Sequence, residues 1–292
     1  MDRRTRRREL IRLMRPALAP TATADVLAAG VLTGAPVFPL AAAALGSTLL
    51  YVAGMVQNDL FDRERDGSLH PDRPLVLHPE LMVTARLLSW GGFAGGLALA
   101  AVAGALLPAL GVVFLATLYN AKAKARFPGD CLALGGARAC NLWIGLAVAG
   151  AALDDVNLAY LVSYLLFIGG LTGASRAEDM EPPETRRLAL LLSLVPQLLA
   201  LGGFASRAAR DAPLFLLPAA YVTFWFARAM ASGTRAAAMH YVLAGLMGIY
   251  LIHAATLWTT RNQGAVLLVL GCAALSVALL RAAPRAGRPA DA

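Results

Sequence analysis

Charge is what this 292-residue chain has least of: Asp, Glu, Lys and Arg make up 15% of it, against 58% hydrophobic residues. Soluble domains carry about 25% charged and 45–50% apolar residues, so a water-soluble fold would lack the polar surface it needs. The apolar content also excludes a disordered chain. Cysteine is scarce: Cys131, Cys140 and Cys272 form no CxxC pair, and their number is odd, which argues against a disulfide framework and a zinc site. The four histidines (His70, His78, His240, His253) show no metal-ligand spacing. Also missing is the short alternation of a transmembrane β-barrel. Long apolar runs remain, and they read as an all-α, polytopic membrane helix bundle whose backbone hydrogen bonds are satisfied within each helix.

A span needs roughly 20 apolar residues. Ten stretches qualify as candidates: Leu18–Leu32, Val37–Val56, Arg86–Leu107, Leu110–Tyr119, Leu134–Ala152, Leu158–Thr172, Leu188–Phe204, Leu214–Met230, Met239–Trp258 and Val266–Leu280. Only Leu107-Pro108 separates the third from the fourth, so the count is nine or ten, and ten is preferred. With the N-terminus in the cytoplasm, ten spans put every one of the 26 lysines and arginines on the cytoplasmic side or its helix edges except Arg207, Arg210 and Arg261. That is the positive-inside bias. The net charge of +8 thus reads as orientation, with no nucleic-acid partner. The organisation is one domain, with a basic cytoplasmic tail (1–15), two acidic loops (58–83 and 173–187) and a flexible tail (281–292). The expected location is a bacterial inner membrane. Small-xxx-small spacing in Gly91–Gly96 suits close helix packing.

Polar residues concentrate just past the second and sixth spans. In Gln57-Asn58-Asp59-Leu60-Phe61-Asp62-Arg63-Glu64-Arg65-Asp66, the residues Asn58, Asp62 and Asp66 recur at i, i+4, i+8, and Asp59 joins at i+3 and i+7. On a helix these oxygens share a face. Clustered carboxylates repel and call for a cation. Mg²⁺ fits, since it uses few carboxylates and keeps positions for phosphate oxygens. The second segment offers Glu178, Asp179 and Glu181. Between the two lie Tyr119, Lys122, Lys124 and Arg126, and farther on Arg138 and Asn141, one turn apart inside the fifth span. Lys122, Lys124 or Arg138 suits diphosphate. Asp25, alone in an apolar stretch, either touches an acceptor or pairs with an arginine such as Arg138. Acids and bases at one mouth of a greasy bundle suit a prenyl diphosphate, with its head at the interface and its tail in the membrane.

Asn58-Asp59-x-x-Asp62-x-x-x-Asp66 followed by Asp72-Arg73-Pro74-Leu75 resembles the first aspartate-rich motif of the UbiA superfamily of intramembrane prenyltransferases. Tyr119 with Lys122 and Lys124 resembles that family's tyrosine-lysine segment, although the usual spacing would put lysine at Ala123. The second motif departs as well, with Ser175 where an aspartate is common and Asp179 four residues on. Arg15-Pro16, Thr21–Asp25, Pro71–Pro74, Arg138 with Asn141, and Thr172-x-x-Ser175-Arg176-x-Glu178 resemble its EboC-like branch. The resemblance implies a central cavity capped by the two loops, and Mg²⁺-assisted ionisation of a prenyl diphosphate before attack by a hydrophobic or aromatic acceptor. It also implies roles: Asp62, Asp66 and Asp179 catalytic; Asn58, Asp59, Asp62, Asp66, Glu178 and Asp179 on metal; Arg73, Tyr119, Lys122, Lys124, Arg138, Asn141, Asp25 and Arg176 on substrates. The altered second motif keeps a rival reading open, a non-catalytic membrane carrier for an isoprenoid or related metabolite.

Overall fold

Each of the ten apolar stretches folds as a helix, and the chain has helices beyond them. The computed structural model describes residues 1–122 and 126–282, except for the side chains of Asp179 and Ala209. The helices are α1 (Arg3–Met14), α2 (Ala19–Leu32), α3 (Val37–Leu69), α4 (Pro74–Leu77), α5 (Met82–Val102), α6 (Leu106–Ala121), α7 (Gly129–Val148), α8 (Asp155–Arg176), α9 (Pro183–Ala208), α10 (Leu216–Ser232), α11 (Arg235–Trp258) and α12 (Gln263–Ala282). Among the described residues, eight helices are long and apolar enough to cross a membrane. Of the other two stretches, α6 has 16 residues and α2 has 14. Apolar side chains such as Phe38, Val102 and Trp90 stay exposed, as lipid-facing positions require. The chain is an integral membrane protein.

Three boundaries differ from the sequence reading. Residues 58–69 belong to α3, not to a loop; beyond them only His70–Arg73 and His78 lie outside helical segments, since Pro74–Leu77 is α4 and Pro79–Leu81 a 3-10 turn leading into α5. Residues 3–14 form a folded helix, not a tail: Asp2 caps it through Thr5 N at 2.8 Å, and Leu13 is buried with Val56, Leu75, Leu81 and Ala85. The second acidic segment is split between the end of α8, a 3-10 turn over Ala177–Asp179, and α9 from Pro183. Of the tail 281–292, Arg281 and Ala282 are helical and the rest lies outside the described residues. Charges mislead here, because a helix leaving lipid turns polar without ending.

Small residues set the closest helix seams. A Cβ on Gly92 would lie 2.9 Å from Ala53 Cβ, and one on Gly96 would lie 2.9 Å from Gly46 O, so Gly92 and Gly96 carry the α3–α5 contact that their spacing foretold. On the α2–α7 seam a Cβ at Gly145 would meet Val26 O at 2.3 Å and Gly30 N at 2.8 Å. Those neighbours are backbone and cannot swing away. Gly145→Ala is therefore expected to cost about 1–3 kcal/mol, the usual price of overpacking, seen as a lower melting temperature in detergent. A Tm equal to the wild type's would contradict this packing.

Candidate active site at the charged end of the bundle

The face foreseen on α3 exists, but its members take different partners. At 1.5 Å per residue the 33 residues of α3 reach about 50 Å, well past a hydrocarbon core of about 30 Å. The apolar part ends near Val56, so Asn58 to Asp66 stand at or beyond the lipid boundary. Asp59, 3% exposed, accepts from Arg15 Nη2 at 2.5 Å and from Arg73 Nη1 at 3.2 Å. Asn58 Nδ2 lies 3.4 Å from the same oxygen. Arg73 Nε is 4.0 Å from Asp66 Oδ2. Asp62 is partly exposed and Asp66 is buried. Burial pushes the Asp66 carboxyl above its usual range; Arg73 opposes this, while Asp62 and Asp59 add to it.

Arg15 was not foreseen as a partner of this cluster. It sits at φ 46°, a left-handed conformation rare for a non-glycine residue, between α1 and Pro16. That bend, which costs about 1–3 kcal/mol, ends α1 and places the guanidinium on Asp59. Asn120 ties the end of α6 to α3 through Gln57 Oε1 at 2.9 Å and Gly54 O at 3.3 Å. Tyr119 lies within electrostatic reach of Asp62, Arg15, Asp130 and Cys131. Lys122 is exposed at the same end, and Lys124 lies outside the described residues.

Arginines neutralise the second acidic segment as well. Glu178 Oε1 accepts from Arg235 Nη2 at 3.0 Å, and Ser175 Oγ donates to Thr172 O at 2.7 Å. Arg176 donates to Asp130 Oδ2 at 2.7 Å, an acid the sequence did not single out. The two acidic segments thus share one end of the bundle, each laced with arginine.

Asp25 has the arginine partner that the sequence offered it. It is fully buried and pairs with Arg138 Nη2 at 3.0 Å from Oδ2. Asn141 Nδ2 donates to the same oxygen at 3.0 Å, Tyr164 donates its hydroxyl to Oδ1, and His253 Nε2 lies 2.9 Å from Oδ1. Asn141 is fixed in turn by Ser47 Oγ at 2.6 Å and by Ala22 O at 2.9 Å. Arg138 and Asn141 therefore both hold Asp25 within the bundle. Tyr164 and His253 were missed because single polar residues in apolar helices carry no pattern; the rule that ionisable groups at membrane depth have partners was the available signal.

Among the described residues no three of His, Cys, Asp and Glu converge as a ready metal cage. Mg²⁺ does not need one, being held by one or two carboxylates together with substrate phosphates. Asp62 and Asp66, one turn apart on a polar helix end, with Asn58 a turn before, suit that demand, and their mutual repulsion is what a divalent ion relieves. Asp59 is the exception, since its oxygen already serves two guanidinium groups.

No protein-family model and no curated protein matches the chain. Solved structures do. The apo UbiA homologue from Aeropyrum pernix K1 superposes with a TM-score of 0.65 at 21% identity, over 84% of this chain and 98% of that one. A digeranylgeranylglyceryl phosphate synthase gives 0.63 at 18% identity, over 88% and 96%. The Archaeoglobus fulgidus UbiA homologue bound to GPP and Mg²⁺ gives 0.63 at 16% identity, over 82% and 99%. At these identities the likeness establishes the fold: a UbiA-type helical membrane bundle.

Proposed function

We propose that this chain is a UbiA-type prenyltransferase that moves a prenyl group from a prenyl diphosphate to a hydrophobic or aromatic acceptor at the cytoplasmic face of a bacterial inner membrane, with the N-terminus in the cytoplasm. The observation that carries this reading is the Arg15–Asp59–Arg73–Asp66 array, with Asp62 beside it, at the end of an apolar bundle. The Archaeoglobus homologue of the same fold is bound to GPP and Mg²⁺, which supports the ligand class.

Arg15 and Arg73, each about a third exposed, keep donors free for diphosphate oxygens while Asp59 holds them in place, and Lys122 adds positive charge just past the end of α6, with Lys124 two residues on in the sequence. Asn58, Asp62 and Asp66 would hold Mg²⁺, and Glu178 and Asp179 are the candidates for a second ion. Bound there, Mg²⁺ would supply the Lewis acidity that neutralises a departing diphosphate. Preorganised guanidinium groups favour the state in which negative charge has moved onto that leaving group. The apolar interior keeps water from the allylic cation.

The test uses protein in lipid nanodiscs with a radiolabelled prenyl diphosphate and a bacterial lipid extract, with Mg²⁺ or EDTA. Label is expected to move into an organic-soluble product with Mg²⁺ and not with EDTA. Tight binding with no turnover would favour the carrier reading, for which the arginine-paired Glu178 speaks. Absence of binding would overturn both.

A further inference from the structure

A cavity of about 240 Å³ opens where α10 ends and α11 begins. Trp225, Arg228 and Ser232 wall it from α10, and Thr234, Ala236 and His240 from the start of α11. The chain builds this recess with a tight turn. Gly233, at φ 63°, takes the left-handed position that ends α10. Thr234 then caps α11 by accepting from Ala237 N at 3.3 Å, and its hydroxyl lies 2.7 Å from that of Ser232. The volume is below the roughly 300–1,000 Å³ of a site that encloses a whole drug-sized ligand, so it suits a head group alone. The titratable side chains lining it, Arg228 and His240, are both bases.

Arg228 is exposed, and its guanidinium rests over the rings of Phe224 and Trp225, 5.9 and 5.8 Å from their centroids. Ring contacts orient a guanidinium without using its N–H donors. The imidazole of His240 and the two hydroxyls add further donors, and the start of α11 brings the positive end of a helix dipole. Arg228 lies four residues before the end of α10, about 6 Å at 1.5 Å per residue. Trp225, about a turn deeper, is the kind of side chain that marks a membrane–water interface. Below Arg228 on the same face of α10 stand Phe224 and Leu217, 55% and 64% exposed, as lipid-facing side chains are. The Arg235–Glu178 pair beside the turn puts the recess at the charged end of the bundle. Orientation in the membrane asks only for positive charge on this side; it does not ask for a walled recess with oriented donors.

We propose that this recess binds the phosphate of an anionic glycerophospholipid from the leaflet at the charged end, whose acyl chains lie along Phe224 and Leu217. Basic pockets between membrane helices on the cytoplasmic side take such head groups. The phosphate oxygens accept from Arg228, His240 and the hydroxyls of Ser232 and Thr234. Phosphatidylcholine carries the same phosphate, but its choline cation would have to sit against Arg228, so a head group with net negative charge is preferred. The site stands whether or not the chain transfers a prenyl group.

Full-length protein is placed in phosphatidylcholine nanodiscs doped with phosphatidylglycerol that carries a diazirine near its head, or with phosphatidylcholine that carries the same group, and irradiated. Phosphatidylglycerol is expected to label peptides carrying Trp225, Arg228 and His240 ahead of phosphatidylcholine. Arg228→Gln/His240→Gln is expected to lower that labelling about tenfold, the scale set by one or two basic groups at a membrane surface. Arg3→Gln/Arg4→Gln, which removes charge from the exposed start of α1, should leave it at the wild-type level. Ala236→Glu puts an acid into the recess with both bases intact, at a helix start that favours acids, and should give the same loss should the first variant fail to fold. Inorganic phosphate in the buffer should not displace the lipid. Equal labelling by the two lipids, or labelling unchanged in Arg228→Gln/His240→Gln and Ala236→Glu, would overturn the site. Label lost to inorganic phosphate would overturn the lipid as its ligand, in favour of a soluble phosphate.

Discussion

Replacing Asp62 and Asp66 together with alanine is expected to lower Mg²⁺-dependent prenyl transfer by about a thousandfold, the scale on which loss of charge stabilisation at a leaving group is felt. The two carboxylates lie one turn apart on the helical extension of α3, and Asp66 is held above its ordinary pKa by burial and by Asp62 and Asp59 against the pull of Arg73. Removing them takes away both the hard oxygens and the repulsion that makes a divalent ion welcome. The folded state should not suffer, since an acid with a raised pKa is one whose ionised form the fold disfavours. The expected signature is a melting temperature equal to or above that of the wild type, with transfer lost and the Mg²⁺ dependence of diphosphate binding gone. Transfer that survives in the double variant would remove these residues from the metal assignment.

Asp25→Ala is expected to do the opposite, striking the fold first. Arg138 would be left with 12% of its side chain exposed and no counter-ion, and Tyr164, Asn141 and His253 would each lose a partner. Breaking a buried pair by removing one member costs about 3–5 kcal/mol. The readout is fluorescence-detected size exclusion after heating in detergent, with a large drop in the surviving peak. The double variant Asp25→Ala/Arg138→Met should regain much of that loss, because an uncompensated charge is worse than none. If the double variant is no better than the single, the cluster is not held together by its charges.

Much of the bundle was legible. Ten apolar runs became ten helices, and the i, i+4 register of Asn58, Asp62 and Asp66 survived because it is a property of a helix, whichever residues surround it. The length of α3 was not legible, since Arg63, Glu64 and Arg65 look the same on a solvated helix as in a loop. Arg15 on Asp59, Arg176 on Asp130 and Arg235 on Glu178 were hidden for another reason. Each joins segments 44 to 57 residues apart, and nothing local in the chain says which arginine meets which acid.

The first helix changes what the start of this chain means. Leu13 is part of the apolar knot with Val56 and Leu75, Arg12 reaches Asp72 O at 3.0 Å, and Arg6 reaches Thr84 Oγ1 at 3.2 Å. Shortening the protein there would uncover the arginine–aspartate array at the end of α3 and release the bend that keeps Arg15 on Asp59, so affinity handles belong at the other terminus.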